Sequence, residues 1–153
     1  MPTITAPAPA PVTTGDAPVV LLDPVGHGLV DPAGGSRDLD AMLDEARAAE
    51  RSGASAVVVP ATNAGAPAAR EWPVTAQALA VLLATTHVQV VVPIRARAWD
   101  LDAVARFATS ATGLAGDRLV VRVLGVGAAP FATRLAARWS GRVVVGESGL
   151  AAA

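Results

Sequence analysis

Short, largely apolar runs recur along this chain at a near-constant interval. They are Val19-Val20-Leu21-Leu22, Ala56-Val57-Val58-Val59, Val88 to Val92, Leu119 to Leu124 and Arg142-Val143-Val144-Val145. Runs that are apolar without alternation mark strands covered on both faces, as in parallel sheets. Parallel neighbours need a crossover of a dozen residues or more, usually a helix. The intervals leave room for one helix each, so the chain predicts alternating βα units with right-handed crossovers. Such units build either a closed eight-stranded barrel or an open doubly wound sheet. A closed barrel takes about 250 residues. With 153 residues, the chain is expected to be a complete open sheet or about half of a barrel.

The helical segments support this reading. Leu39, Met42, Leu43, Ala46 and Ala49 recur at the helical period between about Asp38 and Arg51, with Ser36 or Asp38 as candidate N-caps and Gly53 as the stop. Pro73 suits the first position of a second helix, which turns Leu79, Leu82 and Leu83 inward. Asp100 or Asp102 opens a third helix with Leu101, Val104, Phe107 and Ala108 on one side. A short fourth helix is expected from about Pro130 to Trp139. Residues 1–17 are rich in Pro, Ala and Thr without a period and read as a flexible tail, leaving 18–150 as the folded domain.

Composition removes several kinds of chemistry. The chain has no Cys, so thiolate nucleophiles and Cys-ligated metals are excluded. It has no Lys, which excludes a Schiff-base lysine. Only two histidines, His27 and His87, are present, so no metal site is expected. Tyr is absent as well, leaving acid and base work to these histidines and the carboxylates. A net charge of −1 without a basic stripe argues against a nucleic-acid surface. No apolar run approaches the roughly 20 residues that cross a bilayer. Neither a basic start nor a long apolar stretch suggests a leader, so the expected location is cytoplasmic.

In parallel α/β folds ligands bind at the carboxyl ends of the strands. That rule selects Asp23, His27 and Asp31 after the first strand, and Thr62 and Asn63 after the second. Arg95 and Arg97 follow the third, Gly125 and Gly127 the fourth, and Glu147 and Ser148 the fifth. His27, between Gly26 and Gly28, is the leading acid/base candidate; an exposed loop histidine is the competing reading. Arg95 and Arg97 have the forked donors that grip a phosphate or sulfonate, or else they pair with Asp100 and Asp102. Gly125-Val126-Gly127 hints at a phosphate loop but lacks the third glycine of the dinucleotide fingerprint. Trp72 and Trp99 lie near helix starts on the same rim, and His87 falls on the opposite one.

Three stretches carry a family resemblance. They are Leu21-Leu22-Asp23-Pro24-Val25-Gly26-His27-Gly28, the segment from Asp40 to Pro60, and the segment from Glu71 to Gly125 with Leu114-Ala115-Gly116-Asp117-Arg118-Leu119-Val120-Val121 inside it. In this order they resemble the N-terminal half of the bacterial luciferase-like monooxygenases, above all the alkanesulfonate monooxygenase branch. The resemblance covers about residues 19–127. It implies part of a TIM barrel: about five parallel strands and four helices, associating to complete the barrel. It also implies reduced flavin mononucleotide (FMN) supplied by a reductase, and monooxygenation. His27 would stand in the pocket wall and Arg95 beside the substrate or flavin as catalytic residues. Thr62 and Asn63, with Gly125 and Gly127, would contact the cofactor. Three departures accompany this: the cysteine after the second strand of that branch has no counterpart here, the family's flavin-phosphate loops belong to its second half, and past Gly127 the chain passes straight into a short helix and a last strand where the family has a long insertion.

A half barrel exposes two strand edges, so a homo-oligomer or a second barrel-completing chain is expected as partner, with a flavin reductase beside it. Two other readings stand against the truncated monooxygenase. One is a non-catalytic binding or structural subunit derived from the same family. The other is an independent open sheet of flavodoxin-like outline.

Overall fold

A computed structural model describes residues 17–22, 35–60 and 73–146, with side chains in the first helix described from Leu39. Nine elements alternate along them: β1 (Val19–Leu21), α1 (Gly35–Arg51), β2 (Ala56–Val58), α2 (Val74–Ala84), β3 (Gln89–Arg95), α3 (Leu101–Ala115), β4 (Leu119–Leu124), α4 (Ala128–Ala136) and β5 (Arg142–Gly146). The strands form one parallel sheet in the order β1-β2-β3-β4-β5. Strand order equals chain order, and β1 and β5 are edges. A doubly wound sheet reverses direction once and binds its ligand at that reversal. No reversal exists here, which removes the flavodoxin-like alternative. The order is that of consecutive units in a barrel, left open.

All four helices lie on one face, because the core draws on alternate residues of each strand and on every helix. Val57 and Val59, then Val88, Val90, Val92 and Ile94, then Leu119, Val121 and Val123 point into it. Met42 and Ala46, Val81 and Leu82, Val104 and Ala108, and Phe131 and Leu135 meet them from the helices. The apolar stripes are what hold each helix on the sheet. Leu83, expected inward, is 61% exposed; Leu82 takes the core position and Leu79 the flank.

Local signals explain the boundaries. The Asp100 carboxylate accepts from the Ala103 N–H at 2.9 Å and caps α3. Gly53 and Gly116, with φ of 86° and 76°, end α1 and α3 in a conformation costly for residues with a side chain. Helix α1 starts at Gly35, ahead of the expected Asp38, and α4 starts at Ala128, so Pro130 falls in its first turn, where a missing N–H breaks no helical bond. Strand β3 runs through Pro93 instead of ending there. Val91 accepts from Val59 on the β2 side, so Pro93, two residues on, directs its missing N–H past the last paired residue, Val58. The ladder loses nothing to it.

Candidate functional site

The face of the sheet away from the four helices carries the other half of each strand. Register places Leu21, Val58, Val91, Val120 and Arg142 in one row across it, Pro93, Arg122 and Val144 in the next, and Arg95, Leu124 and Gly146 in the row nearest the strand carboxyl ends. The face is therefore mainly aliphatic, with cations near the end where parallel α/β folds bind ligands. At the β1 edge, Val19 and Leu21 remain 57% and 64% exposed.

Arg95 lies on this face at the end of β3, as the strand-end rule anticipates. Its Nε atom is buried and has no hydrogen-bond acceptor. Arg122 reaches the same level from one row below. Its guanidinium lies against Gly146, where an added Cβ would overlap Nε. A glycine at that point on β5 is what leaves room for the side chain. The ion pairs among the described residues are Arg47 with Asp44 and Arg138 with Asp102, and neither involves Arg95 or Arg122. Both arginines are partly buried, a setting in which an unpaired guanidinium is costly.

Arg122 was missed by the strand-end rule because it sits inside the run Leu119 to Leu124. Strand parity could have found it: with Leu119, Val121 and Val123 in the core, Arg122 must face the other way.

Gly125 and Gly127 follow β4 with φ of 82° and 83°, and Gly127 is the N-cap of α4. Two backbone donors close this turn onto the start of α4. The Ala128 N–H goes to the Gly125 carbonyl, the Phe131 N–H goes to the Gly127 carbonyl, and Pro130 has none. What remains is open space around both glycines, where no atom lies within 4 Å of an added Cβ.

Arg97 is exposed in the turn after β3 and pairs with neither expected carboxylate. Asp100 is taken by the α3 cap, and Asp102 by Arg138. Trp99 packs partly buried against the core. His27, Thr62 and Asn63 lie outside the described residues, as do Asp23, Asp31, Trp72, Glu147 and Ser148. An open groove of about 570 Å³ beside Arg138 is lined by Asp102, Arg106, Thr109 and Ser110. It belongs to the outer surface of α3, on the opposite side of the sheet from Arg95 and Arg122. Among the described residues no group of His, Asp and Glu could hold a metal ion, and no helix is long and apolar enough to cross a membrane.

The opposite rim is a structural clasp. The Glu50 carboxylate accepts from the backbone N–H groups of Thr86, His87 and Val88 and from the Thr86 hydroxyl, at 2.7 to 3.1 Å. Burial opposes the charge, but the hydrogen bonds from Val88, His87 and Thr86 outweigh it and lower the pKa from 4.5 to about 2. Arg118 donates to the carbonyls of Leu82, Thr85, Val88 and Ala115 and to the Thr85 hydroxyl. One guanidinium thus ties the ends of α2 and α3 to the start of β3. His87 contributes its backbone N–H here and its side chain is exposed, in keeping with a structural reading.

No protein-family model matches the chain, and no curated protein does. Solved structures do match. Apo-MsnO8 aligns with a TM-score of 0.56 at 21% identity, over 75% of this chain and 35% of that one. The EDTA monooxygenase EmoA from Chelativorans sp. BNC1 aligns with a TM-score of 0.55 at 16% identity, over 82% of this chain and 32% of that one. At these identities the likeness is one of fold. The chain spans about a third of the length of both structures. Its five consecutive parallel strands and four helices are an open stretch of their barrel architecture.

Proposed function

We propose that the chain is a luciferase-like flavin-dependent monooxygenase unit of the alkanesulfonate monooxygenase type, whose site is completed by a second copy or a second chain. The observation that carries this reading is the sheet face away from the four helices, which brings Arg95 and Arg122, neither in an ion pair among the described residues, to the carboxyl-end rows of a mainly aliphatic face. Support comes also from the two structural neighbours, both luciferase-like flavin monooxygenases.

The chain's own residues fit a flavin. Leu21, Val58, Val91, Val120 and Val144 give this face apolar side chains of the kind that line a pocket for a fused ring system. The unsatisfied Arg95 Nε calls for an acceptor, which a phosphate, a ring carbonyl or an anionic substrate would supply. When bound, reduced flavin supplies the activation of oxygen. Arg95 and Arg122 bind and orient anionic groups, and the aliphatic rows keep water from them. Gly125 and Gly127 allow close approach of the backbone. His27 holds or moves a proton at the pocket wall in this reading, and Thr62 and Asn63 contact the flavin.

The test is an absorbance spectrum after incubation with FMN and a reductase, together with the mass in solution. A flavin-bearing oligomer that consumes oxygen, and loses flavin on Arg95→Ala, supports the reading. A colourless monomer that takes up no FMN overturns it. A colourless oligomer would point to the non-catalytic subunit instead.

A further inference from the structure

We propose that the outer face of α2 is the contact surface of a symmetric dimer, in which α2 crosses its own copy antiparallel and sets each leucine against an alanine. The contact lies on the helix layer, away from the strand edges that a barrel-completing chain would use. It therefore goes beyond the proposed function and does not depend on it.

The make-up of the helix is the first argument. α2 contains no Asp, Glu, Lys or Arg, whereas α1, α3 and α4 all carry charges. Val74, Ala78, Val81 and Leu82 point into the core. With 3.6 residues per turn, the positions farthest from these four are Ala76, Leu79, Ala80 and Leu83. Leu83 is exposed, and the other three are partly so. A helix at a protein surface turns polar or charged residues to water, and one that is apolar all round is covered by a further layer.

The order of large and small residues in that stripe says what covers it. Reversal about the midpoint between Leu79 and Ala80 carries Ala76 onto Leu83 and Leu79 onto Ala80. Across a two-fold axis at this point every leucine therefore meets an alanine of the other copy, and the stripe is its own complement. A parallel arrangement would set leucine on leucine and leave gaps between the alanines, which close packing disfavours. The stripe consists of two rows spaced by four residues, Ala76 with Ala80 and Leu79 with Leu83. Such rows are the ridges that interdigitate when helices cross at about 50°, and alanine permits axes about 8 Å apart.

Charge and size agree with a second copy. The stripe offers a charged partner no counter-charge. The ion pairs to either side, Asp44 with Arg47 on α1 and Asp102 of α3 with Arg138, are neutral, so identical surfaces can meet beside them without like charges opposing. Eleven residues make α2 about 16 Å long. With α1 and α3 about 10 Å to either side, the footprint is about 16 Å by about 30 Å. Two copies then bury about 1,000 Å², the lower bound for specific association, so the dimer is weak and reversible.

The experiment measures the mass of the full chain by analytical ultracentrifugation between about 1 and about 200 µM, the range for an interface of this size. The expected result is a reversible rise from one chain to two. Leu83→Glu should weaken association at least tenfold, with an unchanged circular dichroism spectrum because Leu83 packs against little of its own chain. Ala76→Leu alone sets leucine on leucine and should also weaken it at least tenfold. The exchange Ala76→Leu with Leu83→Ala restores the pairing and should return affinity to within threefold of the parent. The chain has no Cys, so a mixture of Ala76→Cys and Leu83→Cys chains should cross-link on mild oxidation while neither variant does so alone. A monomer at every concentration, no recovery in the exchanged variant, or cross-linking of the single variants overturns the proposal. Dimerisation lost in Val145→Glu, at the β5 edge, but kept in Leu83→Glu also overturns it, and moves the contact to the strand edge that the proposed function uses.

Discussion

Replacing Glu50 by Gln tests how the chain holds its α2–β3 turn. The Glu50 side chain reaches from the end of α1 to three consecutive backbone N–H groups and one hydroxyl. Its pKa falls from 4.5 to about 2 on folding. Taken at face value, that shift is worth about 3 kcal/mol, and discounting for the partial exposure of the carboxylate leaves about 2 kcal/mol. The sign follows from the depressed pKa: the contribution is complete above the unfolded value of 4.5 and disappears as pH falls towards 2. At pH 3 less than half should remain by the same linkage. Urea unfolding followed by far-ultraviolet circular dichroism, at pH 7, 5, 4 and 3, measures it. Glu50→Gln should be about 2 kcal/mol less stable than the parent at pH 7, with the difference shrinking steadily below pH 4.5. A difference of the same size at pH 7 and pH 3 would refute the reasoning, because the charge would then contribute nothing.

Three further changes probe other contacts. Arg118→Ala strips five hydrogen bonds from the same rim and should cost about 3 kcal/mol, seen as a lowered urea midpoint with an unchanged slope; a loss below about 1 kcal/mol would assign those carbonyls to water. Gly141→Ala drives a Cβ into the Trp139 ring. It should cost about 1 to 3 kcal/mol and change the near-ultraviolet dichroism of that indole, which donates to the Thr112 hydroxyl; an unaltered spectrum counts against the packing. Asp100→Ala removes the α3 cap and should cost about 1 kcal/mol by thermal unfolding, with Asp100→Asn retaining most of the stability.

Much of the architecture is legible in the sequence, for a physical reason. A strand covered on both faces needs an apolar residue at nearly every position, so polar–apolar alternation is absent and runs such as Ala56-Val57-Val58-Val59 stand out. The residues at helical period from Leu39 to Ala49 are as plain. What the sequence hides is whatever depends on a partner distant along the chain. Glu50 reads as one more surface carboxylate, because the amides it binds lie 36 to 38 residues away. Pro93 reads as a strand end, since only the register shows that β2 has already finished pairing beside it. Of the candidate site, Arg95 is legible from its place after the third strand, and Arg122 is masked by its apolar neighbours until the core side of β4 is known. His27, Thr62 and Asn63 remain expectations from the sequence, outside the described residues.

Strand order identical to chain order has a consequence for cooperativity. Each βα unit borders only the units before and after it in sequence, so the chain approaches a one-dimensional array, with stability shared between neighbours. In such an array the middle is bound from two sides and the ends from one. β3 and β4 sit at the centre with six paired residues between them, whereas β1 is held by three. Opening should therefore propagate from the β1 edge inward, and a strand docking at that edge would stabilise the whole array through its weakest link. Arg95, near the centre, stands on the part of the sheet that opens last.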